Sequence, residues 1–124
     1  MPPEAGEGYD PSNVFARILR GDIPSDRVYE DDEFIAFRDI APAAPVHVVL
    51  IPRGEPPTSL VGLTADDAGW AGRMLVAASK VAAALGLDEG GYRVLFNSGR
   101  AAGQVVPHIH AHILGGGDLG PIAG

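Results

Sequence analysis

Apolar residues at Val14, Phe15, Ile18 and Leu19 form a helical stripe that Ser12 can cap and Gly21 can stop, which predicts a short helix. Pro24 breaks it. Two runs, Arg27-Val28-Tyr29-Glu30 and Glu33-Phe34-Ile35-Ala36-Phe37-Arg38, flank Asp31-Asp32 and predict a hairpin. Val46 to Ile51 is dense in β-branched residues and bounded by Pro45 and Pro52, as a buried strand is when proline is held to its ends. From Thr64 through Ala84 a long helix is predicted. Trp70, Met74, Leu75, Ala78, Val81 and Leu85 recur at helical spacing, Asp66 and Asp67 suit the positive end of the dipole, and Gly86 supplies the stop. Trp70 and Met74 are read as core or interface rather than as ligands. Tyr92 to Asn97 predicts another strand, Ser98 to Gln104 a glycine-rich loop, and the stretch from His108 onward a last strand.

The order α, β, β, β, α, β, β, with hairpin-length links between several strands, predicts an α+β fold. About five antiparallel strands form one sheet, packed by one long and one short helix. At 124 residues the chain suits a single core. Residues 1–11, rich in Gly, Pro and acid, read as a disordered tail, 12–117 as the domain and 118–124 as a C-terminal tail.

Composition narrows the function classes. Cysteine is absent, which removes disulfides, thiolate nucleophiles and cysteine-bearing zinc sites and accords with a cytoplasmic location. No apolar run approaches the roughly eighteen residues of a membrane span, and the N-terminus lacks the basic start and apolar core of a signal peptide. No membrane partner is expected. The formal net charge of −7 lies mostly in the first forty residues and argues against tracking nucleic acid. From Gly91 onward Arg93 and Arg100 face only Asp118, so the carboxy-terminal part can accept a small phosphate.

Three of the four histidines, His108, His110 and His112, stand at alternate positions. In a strand they share one face, and Ile109, Ala111 and Ile113 the other. At a rise of roughly 3.4 Å per residue, neighbours lie about 7 Å apart and the outer pair about 13 Å. At most two could therefore meet one metal ion, and no carboxylate lies within the run; no metal or other cofactor is expected. A nucleophilic role asks only for one imidazole aimed at an electrophile, with neighbours that fix its tautomer and move protons. His47, on its own apolar strand, is either a satisfied core histidine or a partner of the row. Gly99 and Gly103 flank a loop whose N–H groups can approach a phosphate, although such loops are commonly plain connections.

The run His108-Ile109-His110-Ala111-His112-Ile113-Leu114 resembles the His-φ-His-φ-His-φ-φ signature of the histidine triad superfamily, φ being apolar. "NVFARILRGDIPSDRVYEDDEFIAFRDIAPAAPVHVVLIPR" (13–53) and "GYRVLFNSGRAAGQVVPHIHAHILGG" (91–116) are similar to the two halves of its Hint branch. The resemblance implies a homodimeric, metal-independent nucleotide hydrolase. Its substrates would be purine nucleoside phosphoramidates or acyl-nucleotides of the AMP or GMP type, cleaved at the α-phosphate. It implies that His110 is the nucleophile, forming a nucleotidyl-histidine, with His108, His112 and His47 orienting it and handling protons. Asp39 then matches the ribose site, and Phe15, Ile18, Phe37 and Ile40 the base pocket or, equally for Phe15 and Ile18, plain core. Asn97, Gly103, Gln104 and Val105 match the phosphate loop. Alternatives are a dinucleoside polyphosphate hydrolase and a nucleotide-binding regulatory protein with vestigial turnover. The chain departs from the pattern at Val105, where relatives commonly carry Ser or Thr, at Pro107, at Ala111, and in its tail, which lacks the arginine and aromatic residues of many relatives.

Overall fold

The computed structural model describes residues 8–123. Helix α1 spans Val14–Leu19, followed by strands β1 (Arg27–Glu30), β2 (Phe34–Arg38) and β3 (Val46–Pro52). Helix α2 spans Ala68–Ala84, and strands β4 (Tyr92–Leu95) and β5 (Ala111–Gly115) complete the chain. The five strands form one antiparallel sheet in the order β1-β2-β3-β5-β4, the α+β arrangement that the pattern predicts. No described helix is long and apolar enough to cross a membrane.

Both faces of the sheet's centre are covered, which is why residues 34–37 of β2 and 48–52 of β3 read as unbroken apolar runs. On one face Phe34, Ala36, Val48, Leu50, Ala111 and Ile113 pack against Met74, Ala77, Ala78, Val81 and Ala82 of α2. On the other, Ile35, Phe37, Val49 and Ile51 pack against Phe15 and Ile18 of α1. Met74 and Trp70 belong to the first cluster, as their spacing indicates.

Local chemistry moved several boundaries. Asn13, not Ser12, caps α1, its side chain accepting from the Ala16 N–H; Ser12 is already bound through its N–H and hydroxyl to Asp10. Thr64 caps as expected, in a reciprocal box with Asp67, but the first turn, Ala65–Asp67, is a 3-10 turn that precedes α2. Gly86 supplies the stop, at φ +73°. Strand β4 ends at Leu95 and leaves Asn97 in the loop. The largest difference lies in the histidine row: β5 begins only at Ala111, so His108 and His110 precede the strand. Their backbone is engaged elsewhere, with the His108 N–H donating to Val106 O and the Ile109 N–H to Pro57 O. Pro107 has no N–H to offer a ladder.

Of the expected N-terminal tail, residues 1–7 lie outside the described residues. Residues 8–11 are described, and Tyr9 hydrogen-bonds His108. In the C-terminal tail Arg93 holds the Gly120 carbonyl at 2.6 Å.

Candidate active site

Register places the histidines. His112 on β5 is paired with Val49 on β3, so its ring lies on the α1 face, and His47, two residues before Val49, is its diagonal neighbour. The two rings meet at 2.9 Å between His47 Nε2 and His112 Nδ1. The Ala43 N–H donates to His47 Nδ1 at 3.0 Å, so the His47 proton sits on Nε2 and is donated onward. His112 Nδ1 accepts it, which in the neutral ring leaves the His112 proton on Nε2. Asp39 Oδ2 lies 3.4 Å from His47 Nε2, while its Oδ1 accepts the Ala41 N–H.

His110 is fixed in the opposite sense. Its Nδ1 lies 2.8 Å from the His108 carbonyl oxygen, which can only accept, so Nδ1 carries the hydrogen and Nε2 the lone pair. Phe15 stands edge-on against this ring at 4.8 Å, and His112 at 5.0 Å. His108 is fully buried, with both ring nitrogens bound: Nε2–H donates to Pro52 O at 2.8 Å, and Nδ1 meets the Tyr9 hydroxyl at 2.6 Å.

Burial sets the charge of the row. His108 and His112 are both lowered to about 4, chiefly by burial; for His108 the bond to Pro52 O opposes it and the His110 ring adds to it, and for His112 the His110 and His47 rings add to it and Asp39 opposes it. Burial also lowers His110, against the opposing effects of its bond to His108 and of Asp39. All three imidazoles are thus neutral at pH 7, the form in which a lone pair can attack.

A cavity of about 440 Å³ opens beside His110 and His112, between α1, the end of β2 and the loop after β4. Every residue that the resemblance assigns to substrate lines it: Phe15, Ile18, Phe37, Asp39, Ile40, Asn97, Gly103, Gln104 and Val105. Phe15, Ile18 and Phe37 serve as core and cavity wall at once. Ile40 and Val105 form an exposed rim, 101% and 83% accessible. Gly103 takes φ +83°, a left-handed conformation that a side chain would strain. Gln104 differs from a phosphate donor in that its amide is committed within the loop. Oε1 accepts the Gly99 N–H, and Nε2 donates to the carbonyls of Thr58 and Val106. It braces the loop rather than reaching the cavity with a free donor.

His108 and His47 do not line the cavity and touch it only through His110 and His112. Asp39, His47 and His112 hold ligand-type atoms within 4.8 Å of one another, the spacing of a metal site. However, the Ala43 N–H occupies His47 Nδ1 and so leaves no lone pair on His47 Nε2 for an ion. Sequence reasoning missed Tyr9 and, on the cavity wall, Val14, Ile23, Pro24, Ser25, Arg38, Val49 and Val106. Tyr9 had a signal, as the one aromatic residue in a Gly, Pro and acidic stretch; Ser25 and Arg38 read as ordinary surface positions, and the others are apolar positions indistinguishable from core.

A family model described as the HIT domain matches residues 20–119. The chain belongs to the HIT family. Within that family, the purine nucleoside phosphoramidase of Escherichia coli K12 is 47% identical over 109 residues, covering 88% of this chain and 91% of its own. A HIT family hydrolase from Legionella pneumophila superposes with a TM-score of 0.85 at 40% identity, covering 91% of this chain and all of its own. The histidine triad nucleotide-binding protein of Candida albicans superposes at 0.72 with 36% identity, over 82% of this chain and 73% of its own.

Proposed function

We propose that this HIT protein is a hydrolase of purine nucleoside phosphoramidates or acyl-nucleotides, cleaving at the α-phosphate through a nucleotidyl intermediate on His110. The observation that carries the reading is the fixed tautomer of His110: its hydrogen is donated to the His108 carbonyl, and its ring lines the cavity. Likeness to the E. coli phosphoramidase and to the Candida nucleotide-binding protein supports the substrate class.

In this reading the apolar wall of Phe15, Ile18 and Phe37 takes the base, and Asp39 the ribose hydroxyls. The loop from Asn97 to Val105 faces the phosphate. An anionic phosphate beside His112 favours its protonated form, opposing the effect of burial. His110 Nε2 then bonds to phosphorus as the P–N or P–O bond breaks, and the His112 imidazolium gives its proton to the leaving group. In the second half neutral His112 takes a proton from water, whose oxygen displaces His110 and releases the nucleotide. Asp39 gives the His47 Nε2–H a second acceptor while His112 is protonated. A homodimer is supported by the edge position of β4 and by exposed Leu75 and Val76 on α2.

The test is to incubate wild type and His110→Ala with a panel of adenosine phosphoramidates, quench, and search for nucleotidylated histidine. Wild type should yield the adduct on the peptide carrying His110 and release the amine, and the variant should do neither. Equal rates of amine release by the two proteins would defeat the assignment.

A further inference from the structure

We propose that Tyr9, supported by Asn13, is a positioning residue of the histidine row: its hydroxyl holds the His108 ring, and His108 in turn holds His110. The proposal rests on the hydrolase reading of His110 and extends its machinery to a residue that no substrate touches, for neither Tyr9 nor His108 lines the cavity.

The direction of each hydrogen bond follows from its neighbours. Asn13 Oδ1 accepts the Ala16 N–H at 2.9 Å, which turns the amide so that Nδ2 faces away from the helix. That nitrogen donates to Asp10 O and to Tyr9 Oη, both at 2.8 Å. With a donor already on its oxygen, Tyr9 directs its own hydrogen to His108 Nδ1, 2.6 Å away. His108 must accept there, because its Nε2–H is given to Pro52 O. The series runs one way, from helix cap to strand end.

Two features make this more than local packing. His108 is fully buried, so a ring nitrogen deprived of Tyr9 has no solvent to replace it, and the ring must shift or carry an unsatisfied acceptor. Phe15 stands edge-on to both His108 and His110, at 6.0 and 4.8 Å, and the His108 carbonyl bonds His110 Nδ1. A shift at residue 108 is therefore delivered to the nitrogen whose hydrogen fixes the nucleophile's tautomer. Burial raises the Tyr9 phenol, with Glu55 and Asp10 acting in the same direction against Asn13 and Arg20, so the hydroxyl keeps its proton at pH 7.

The experiment uses the full chain as wild type, Tyr9→Phe and Asn13→Asp. Ring nitrogens are followed by nitrogen-15 NMR, alongside steady-state turnover of an adenosine phosphoramidate and thermal melting. In wild type, His108 Nδ1 should show the upfield position of a nitrogen that accepts a hydrogen bond. In Tyr9→Phe it should move downfield, and kcat should fall about three- to tenfold with KM within about twofold, the size expected from one lost hydrogen bond. Asn13→Asp keeps an oxygen for the Ala16 N–H but draws the Tyr9 hydrogen to itself, and should move the same resonance. A lowered melting temperature in Tyr9→Phe, with the His108 resonance and kcat unmoved, would reduce Tyr9 to a structural contact and overturn the proposal. If wild type turned over no phosphoramidate while the resonance still moved, the hydrolase reading would fall and the Tyr9–His108 bond would stand.

Discussion

Replacing Gln104 by Glu changes one atom's chemistry and almost none of its shape. The amide nitrogen donates to Thr58 O and Val106 O, while Oε1 accepts the Gly99 N–H, and the residue is only 7% exposed. Glutamate keeps the acceptor for Gly99 but sets a second carboxylate oxygen against two carbonyls. Two net hydrogen bonds of about 1 kcal/mol each are lost, and the new repulsion raises the cost to about 3 kcal/mol at pH 8. For a chain of this length that lowers the melting temperature by roughly 10 °C, taking an unfolding entropy of about 2.1 cal/mol/K per residue. The deficit must depend on pH. The carboxyl faces acceptors, so its pKa is higher folded than unfolded. Its ionisation penalty is complete above the folded pKa and shrinks as pH falls through it, because the protonated acid regains one donor. Gln104→Leu should show a deficit that does not vary with pH relative to wild type. Urea unfolding of the three proteins from pH 8 to pH 5 reads all of this. A Gln104→Glu protein within about 0.5 kcal/mol of wild type at pH 8, or a deficit independent of pH, would refute the orientation assigned to the amide.

His47→Phe leaves the Ala43 N–H and His112 Nδ1 without their partner, so the His112 proton is no longer held on Nε2. A fall in kcat of about ten- to a hundredfold is expected in steady-state assays, and an unchanged kcat would remove His47 from the proton path. The buried histidines also set the acid limb of stability. His108 is held at about 4 folded against 6.5 unfolded, so the unfolded chain binds more protons between those values, and stability is complete above about 6.5 and declines below it. The decline should reach about 3 kcal/mol for His108 alone. A urea midpoint unchanged between pH 7.5 and pH 5.5 would contradict it. Phe15→Ala removes a ring packed on Phe37 and His110 and should cost about 3 kcal/mol in urea unfolding, with a raised KM for purine substrates. A cost below about 1 kcal/mol would show that Phe15 is not a core residue.

Much of this architecture was legible because periodicity reports which face a side chain takes. Alternate spacing put His110 and His112 together, and the proline-bounded run placed His47 on a buried strand beside them. What periodicity cannot report is where the backbone's own donors and acceptors go. His108 fits the alternating pattern, yet it lies outside the ladder, since its N–H and the next one are taken by Val106 and Pro57. Ser12 and Asn13 are both good caps, and only the bond from Ser12 to Asp10 decides between them. The resemblance puts Gln104 in the phosphate loop, and it does line the cavity there. Its side chain turns inward because two carbonyls need a donor.

The partner of His110 Nδ1 bears on how long a phosphorylated imidazole would last. A neutral peptide oxygen steers the ring but, unlike a carboxylate, brings no full negative charge to offset the cation formed when phosphorus is attached. An adduct formed on His110, as proposed above, would thereby stay reactive, and its decay to free nucleotide would not be the slow half of such a cycle.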